Sequence, residues 1–338
     1  MSVHEWISMG RHKLVVFLKQ ELGWEAENTQ LRILTYEKVQ KYQEEQHKEN
    51  SYITILGLHK KLPIQDAWIK LNILTEEELK RKQTETQWDF LNQYDEYSGR
   101  RSGKTYDAET LVIEPGNKVV LAGPGMGKST LCKKLFLQAG AMNKFAIKVR
   151  LWDVAGYMRE GVAFEIALCK AMCQSLAVEF TKAELAHFFP IIILDGLDEC
   201  GDYRRTVAKS IAARGYGHPY QMIIVTSRPI GYDLTELADY NHYQILPMDE
   251  WQMESSSQKL MELVQQDCEK QYQWFRKRLK NYELHKLACR SPLVLGFMVQ
   301  LSLQKKDFGN SKISLYQEIV NEWLQGSSRD NAKNYFRS

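Results

Sequence analysis

From Lys118 the chain reads KVVLAGPGMGKST, and no other stretch restricts its fold so strongly. KVVLA has the composition of a buried strand, and KSTLCKKLFLQAG reads as the helix that follows it. Between them Gly123, Gly125 and Gly127 let the backbone turn successive N–H groups toward a bound anion, and the helix N-terminus adds a favourable dipole. Lys128 can then reach the β- and γ-phosphates of a nucleotide, and the Ser129 hydroxyl can ligate Mg²⁺. Pro124, Met126 and Thr130 complete the segment expected to surround the phosphates. The stretch fits G-x-x-x-x-G-K-[ST] except at its first position, where Ala122 replaces glycine, a mild change if its φ is negative. A second GKT at Gly103–Thr105 is a useful control: it follows the polar run YDEYSGRRS, has Ser98 in place of the upstream glycine, and carries little weight.

From about residue 111 strands and helices alternate: KVVLAG, a helix, FAIKVRL, two helices, PIIILDG, a helix, QMIIVTS, and a last strand near YQILP. Near-continuous aliphatic strands separated by helical patterns predict an α/β fold with a mainly parallel sheet covered on both faces. Residues 1–50 read as two helices, with Leu14, Phe17, Leu18 and Leu22 at helical spacing and a strongly polar tail, YQEEQHKEN. YITILGL and AWIKLNI read as strands separated by HKKLP. In EEELKRK, Glu76, Glu77 and Glu78 stand four residues before Lys80, Arg81 and Lys82, as on an exposed helix face. After about 250 the pattern is helical, with segments near 250–280, 282–288, 291–305 and 312–325. The expected division is 1–50, N-terminal helices; 51–110, an intervening segment; 111–248, the α/β core; and 249–338, a helical subdomain.

Composition narrows the functional classes. Lys+Arg 45 against Asp+Glu 42 leaves a net charge of +3, which gives no reason to expect nucleic acid or an anionic membrane as partner. The six cysteines, Cys132, Cys169, Cys173, Cys200, Cys268 and Cys289, form no C-x-x-C pair, so reduced thiols are expected. The pairs Cys169/Cys173 and His285/Cys289 lack the remaining ligands of a metal site. No apolar stretch approaches the ~20 residues of a membrane span, and VVFL is too short for a signal peptide. A cytoplasmic protein is expected.

Between Ile191 and Cys200 the chain reads IIILDGLDEC, an aliphatic strand running straight into Asp195, Asp198 and Glu199. An acidic turn would account for it locally. With the glycine loop present, Asp195 is expected at the end of a neighbouring strand, completing a Mg²⁺ site with Ser129. Asp198 or Glu199 would position and polarise a water. Without such partners the three carboxylates repel one another. The later strand MIIVTSRP ends in Thr226, Ser227, Arg228 and Pro229; a guanidinium there suits forked phosphate recognition, the alternative being a turn with a surface arginine.

In order and spacing, GPGMGKST, IIILDGLDEC and IIVTSRP resemble the Walker A, Walker B and sensor 1 motifs of NACHT-type STAND NTPases, the group that includes NOD-like receptors and bacterial NACHT anti-phage proteins. The D-G-x-D-E form is the most specific element. CRSPLVLGFMVQL looks like the helical-subdomain segment whose proline, Pro292 here, packs near the adenine; locally, Ser291 as N-cap and Pro292 at the first helical position fit as well. ISLYQEIVNEWL has a similar family look. The resemblance covers roughly residues 100–325. It implies a three-layer P-loop NTPase fold, preceded by a small helical and strand region and followed by an all-helical subdomain, with ATP or ADP and Mg²⁺ as cofactors. It also implies a switch: ADP holds a closed monomer, ATP exchange favours self-association, hydrolysis is slow, and a partner protein serves as sensor or effector in signalling or defence. Members of the family continue into a winged-helix domain and a sensor, so this sequence is expected to be a piece of a longer chain or a short form relying on a partner. The competing expectations are an AAA-like remodelling ATPase and a non-hydrolysing nucleotide-binding scaffold or regulator.

Overall fold

The computed structural model describes residues 26–55, 60–75, 105–174, 180, 190–215, 222–281, 288, 290–309, 311 and 313–321, with side chains from residue 36 onward. In chain order the elements are α1 (Ala26–Asn50), β1 (Tyr52–Ile55), β2 (Lys60–Pro63), β3 (Asn72–Thr75), β4 (Tyr106–Asp107), β5 (Lys118–Leu121), α2 (Lys128–Ala141), β6 (Ala146–Arg150), α3 (Leu151–Arg159) and α4 (Phe164–Cys173). There follow β7 (Ile191–Asp195), α5 (Arg204–Gly215), β8 (Met222–Ser227), β9 (Asn241–Ile245), α6 (Glu250–Val264), α7 (Glu269–Asn281) and α8 (Pro292–Leu303). The described residues fall into two units, one drawn from 1–50, 109–121 and 128–242, the other from 51–108, 122–127 and 243–338.

The first unit is built on a parallel sheet ordered β5, β8, β7, β6. Its aliphatic strands are buried along their length, β5 and β7 at every residue, as the continuous apolar runs lead one to expect. The register aligns the strand ends: Leu121 faces Ser227, Leu194 faces Val225, and Arg150 faces Asp195. Here one expectation is corrected. The carboxylate strand β7 is not a neighbour of the strand that precedes the glycine loop, because β8 lies between them. Local sequence patterns define strands but carry no information on their lateral order.

Helix α2 packs against β6, β7 and α1. Residues 42–50 are not a polar tail beyond a helix but the last turns of α1. Val39, Tyr42, Gln46 and Asn50 are buried along one stripe at intervals of three and four residues. Two of these are amides, which is why the segment reads as polar. The fully buried Tyr42 ring meets Phe145 and Phe180 edge-on, and its hydroxyl accepts the Lys148 N–H at 3.4 Å. The first of the two expected helices lies outside the described residues. At the start of β5, Lys118 is fully buried, and its ammonium donates to the carbonyls of Glu114 and Gly116 at 2.7 Å and of Pro115 at 3.3 Å. Burial lowers its pKa to about 8.

In the second unit β1 and β2 form an antiparallel pair with Ile53 opposite Leu62. The KKLP part of HKKLP is thus not a separator: Leu62 is buried while its neighbours Lys61 and Pro63, on the opposite face, are exposed, a strand whose solvent face reads as a loop. Nor is AWIKLNI one strand. Pro63 leads into a single helical turn, Ile64–Ala67, and β3 begins only at Asn72. β3 pairs antiparallel with β4 and with the end of β9, Ile73 facing Ile245. Helices α6, α7 and α8 pack on one another. Asp249 and Gln252 form a capping box at the start of α6, and α8 is buried almost all round from Leu295 to Ser302. A further helix spans 313–321, the described part of the expected 312–325 segment. The expected helix at 76–82, the expected helix at 282–288 apart from residue 288, and Gly103 and Lys104 of the second GKT lie outside the described residues. Among the described residues no helix is long and apolar enough to cross a membrane.

Candidate functional site

Ala122 is buried and is not among the residues with positive φ, so its side chain is accommodated without strain. Gly125 and Gly127 do carry positive φ, +72° and +87°, where a side chain would be strained. The loop 122–127 therefore makes its turns late, just ahead of Lys128, the first residue of α2. Pro124 and Ser129 are exposed, Gly123 and Thr130 half-buried, and Met126 buried. Within the second unit the Gly125 carbonyl accepts the Leu293 N–H and the Ser291 hydroxyl, both at 3.2 Å. Pro292 does occupy the first helical position of α8, but Ser291, though at the N-cap, makes no side-chain cap there. Its hydroxyl serves the loop instead. A Cβ on Gly125 would stand 2.9 Å from Leu293 Cβ.

At the end of β7, nearly buried Asp195 accepts the Thr226 hydroxyl on Oδ1 at 2.7 Å, and the Thr226 oxygen accepts the Gly196 N–H at 2.9 Å. This chain of bonds fixes the carboxylate and the start of the following turn. Gly196 has φ +84°, and Glu199 folds back over it, with Cδ and Oε2 3.1 Å from where a Cβ would be. The backbone at Gly196 thus favours glycine, and any side chain there would push Glu199 aside. Asp198 and Glu199 lie in the 3₁₀ turn Leu197–Tyr203. Both oxygens of Asp198 are taken by Arg228, Oδ1 by its backbone N–H at 3.0 Å and Oδ2 by Nε at 2.9 Å. Arg228 is half-exposed while Asp198 is largely buried.

The charges converge on Lys128. Burial lowers its pKa, opposed by Asp198, Asp195 and Glu199 and reinforced by Arg228. Partial burial raises the pKa of Glu199, helped by the like charges of Asp195 and Asp198. The Cys132 thiol, facing Asp195 and Thr226 from α2, is held well above its ordinary value by burial and by the Asp195 charge. Sequence reasoning had passed over Thr226 as part of a strand end. Its signal was the threonine just before the Ser-Arg pair, on a strand that pairs with β7. Arg159, at the end of α3, carried no motif at all, and it donates to the Cys200 carbonyl at 2.8 Å. Cys132, Cys169, Cys173, Cys200 and Cys268 are free thiols, and among the described residues no group of three or more His, Cys, Asp or Glu side chains is placed to hold a metal on its own.

A glycine loop between strand and helix, with carboxylates at the C-terminal end of a parallel strand, is consistent with a P-loop NTPase-like fold. No family model matches the sequence, and no curated protein matches it. Among solved structures the chain is similar to a Signal Transduction ATPase with Numerous Domains (STAND) protein with a tetratricopeptide repeat sensor from Pyrococcus horikoshii, at 16% identity and a TM-score of 0.33. The likeness covers 63% of this chain, which spans 31% of that one.

Proposed function

We propose that this chain is an ATP-binding molecular switch of the NACHT/STAND type, slow in hydrolysis, whose nucleotide state governs self-association in cytoplasmic signalling or anti-phage defence. The observation that carries this reading is the convergence on Lys128 of Asp195, Asp198, Glu199 and Arg228, drawn from separate sequence motifs. Residues 123–130 hold the phosphates, Pro292 meets the base, 111–248 forms the nucleotide core, and 249–338 forms the helical subdomain. Ser129 and Asp195 offer the hard oxygen donors that suit Mg²⁺, and Asp195 keeps one oxygen beyond its bond to Thr226. One or two protein oxygens suffice for that cation when phosphates and waters complete its shell. When bound, Mg²⁺ supplies charge neutralisation at the phosphates.

Glu199 is the general base that orients the attacking water, since Asp198 is committed to Arg228 and burial has moved Glu199 in the basic direction. Arg228 spends Nε and its backbone N–H on Asp198, leaving its terminal nitrogens for the γ-phosphate. ATP and ADP then make different contacts, which is what allows nucleotide to bias two conformations. The test is to denature purified protein and identify released nucleotide by chromatography, alongside Lys128→Ala. Bound ADP in the wild type and none in the variant is the expected result. A protein that carries no nucleotide and binds neither ATP nor ADP on titration overturns the reading, and turnover at motor-ATPase rates overturns the switch.

A further inference from the structure

The turn that bears Asp198 and Glu199 is fastened at its start by the Gly196 N–H on Thr226 and along its side by Asp198 on Arg228. Its far end is fastened from a different quarter. The guanidinium of Arg159 donates to the Cys200 carbonyl at 2.8 Å, and it stands 5.5 Å from the ring centroid of Tyr203, in the same turn. It also stands 5.3 Å from the ring of Trp152, at the other end of its own helix. Helix α3 packs along the turn, so the arginine ties two elements already in contact.

We propose that Arg159 is a positioning residue for hydrolysis, pinning the far end of the carboxylate turn so that Glu199 keeps its aim. The backbone shows why a pin is needed there. Gly201 departs from helical geometry at φ +58° and ψ −133°, so the turn breaks immediately after Cys200, and the next helix starts only at Arg204. A peptide carbonyl beside such a kink is free to rotate unless a donor holds it. Arginine suits this place better than lysine because one planar group donates a hydrogen bond while stacking on aromatic faces. Its position in the last turn of α3 also favours a cation. The contacts of the Arg159 guanidinium go to Cys200, Tyr203 and Trp152, so it acts through the turn.

The inference rests on the proposed hydrolytic reading, and two readouts separate their failures. Steady-state ATP turnover and ADP affinity are measured for the wild type, Arg159→Ala, Arg159→Lys and Trp152→Ala, with amide hydrogen exchange followed in the peptide spanning 196–203. In Arg159→Ala exchange in that peptide rises about tenfold or more. There kcat falls by about ten- to a hundredfold, with ADP affinity within about twofold of wild type. Arg159→Lys recovers part of both losses, and Trp152→Ala, which leaves the hydrogen bond intact, shows a smaller one. Unchanged exchange in Arg159→Ala overturns the pin, and faster exchange with unchanged kcat overturns its service to catalysis. A wild type that binds no nucleotide refutes the proposed function instead, and the catalytic half of the inference with it; the exchange measurement still decides whether Arg159 holds the turn.

Discussion

Gly196→Ala is the sharpest single test of how the carboxylate turn is built. At φ +84° an alanine Cβ would stand 3.1 Å from Glu199 Cδ and Oε2 and 3.3 Å from Cγ. The left-handed backbone costs a non-glycine residue about 1–2 kcal/mol. The contact adds little to stability because Glu199 is an exposed, flexible side chain that can swing aside, but swinging aside is what ruins its aim. Displacement of a catalytic group by about 1 Å can cost on the order of 100-fold in rate. The expected variant therefore folds, melts a few degrees lower, binds ADP normally and turns over ATP on the order of 100-fold more slowly. The double variant with Glu199→Gln is no slower than Glu199→Gln alone, since both act through one carboxylate. Thermal unfolding, fluorescent ADP titration and steady-state turnover measure the three quantities. Wild-type turnover in Gly196→Ala, or an equal loss when Glu199 is already glutamine, would refute the reasoning.

Thr226→Val keeps the side-chain shape but strands a buried Asp195 oxygen and the Gly196 N–H; a loss of about 1–3 kcal/mol in urea unfolding is expected, with Thr226→Ser milder. Asp198→Ala and Arg228→Ala should each change stability by at most about 1 kcal/mol, because Arg228 is half-exposed, yet both should weaken the preference for ATP over ADP. Strict additivity of the two in a double-mutant cycle of ATP affinity would contradict their coupling. For Lys118, a folded pKa of about 8 below the ordinary lysine value means the unfolded chain binds more protons above pH 8. Wild type should therefore gain stability relative to Lys118→Met as pH rises from about 8 toward about 10, and a difference in stability that does not vary with pH over that window would count against it.

Elements with a strong local signal were legible in the sequence: the aliphatic strands β5 to β8, the helix after the glycine loop, and the chemistry-bearing residues at strand ends. What escaped was set by partners distant in sequence. HKKLP looks like a loop until Leu62 is opposite Ile53, and residues 42–50 look solvated until Tyr42 is found against Phe145 and Phe180. The insertion of β8 between β5 and β7 leaves no mark on any one segment. The same holds for the site. Lys128, Asp195 and Glu199 announce themselves by residue type at a given spacing, whereas Thr226 and Arg159 matter only through the hydrogen bonds they make to Asp195 and Cys200. Ser291 reads as a cap by position, and only geometry shows its hydroxyl turned to Gly125.

The buried stripe of α1 bears on how this protein is trimmed for expression. Residues 1–50 look dispensable beside the α/β core, and a shortened chain starting at Ser51 would be a natural choice. Such a cut would remove Tyr42 from between Phe145 and Phe180 and leave the Lys148 N–H without its phenol partner. Two aromatic rings that the full chain keeps 8% exposed or less would face water, an invitation to sticky, poorly soluble material. A shortened protein that kept residues from Ala26 would retain the lid over that aromatic floor.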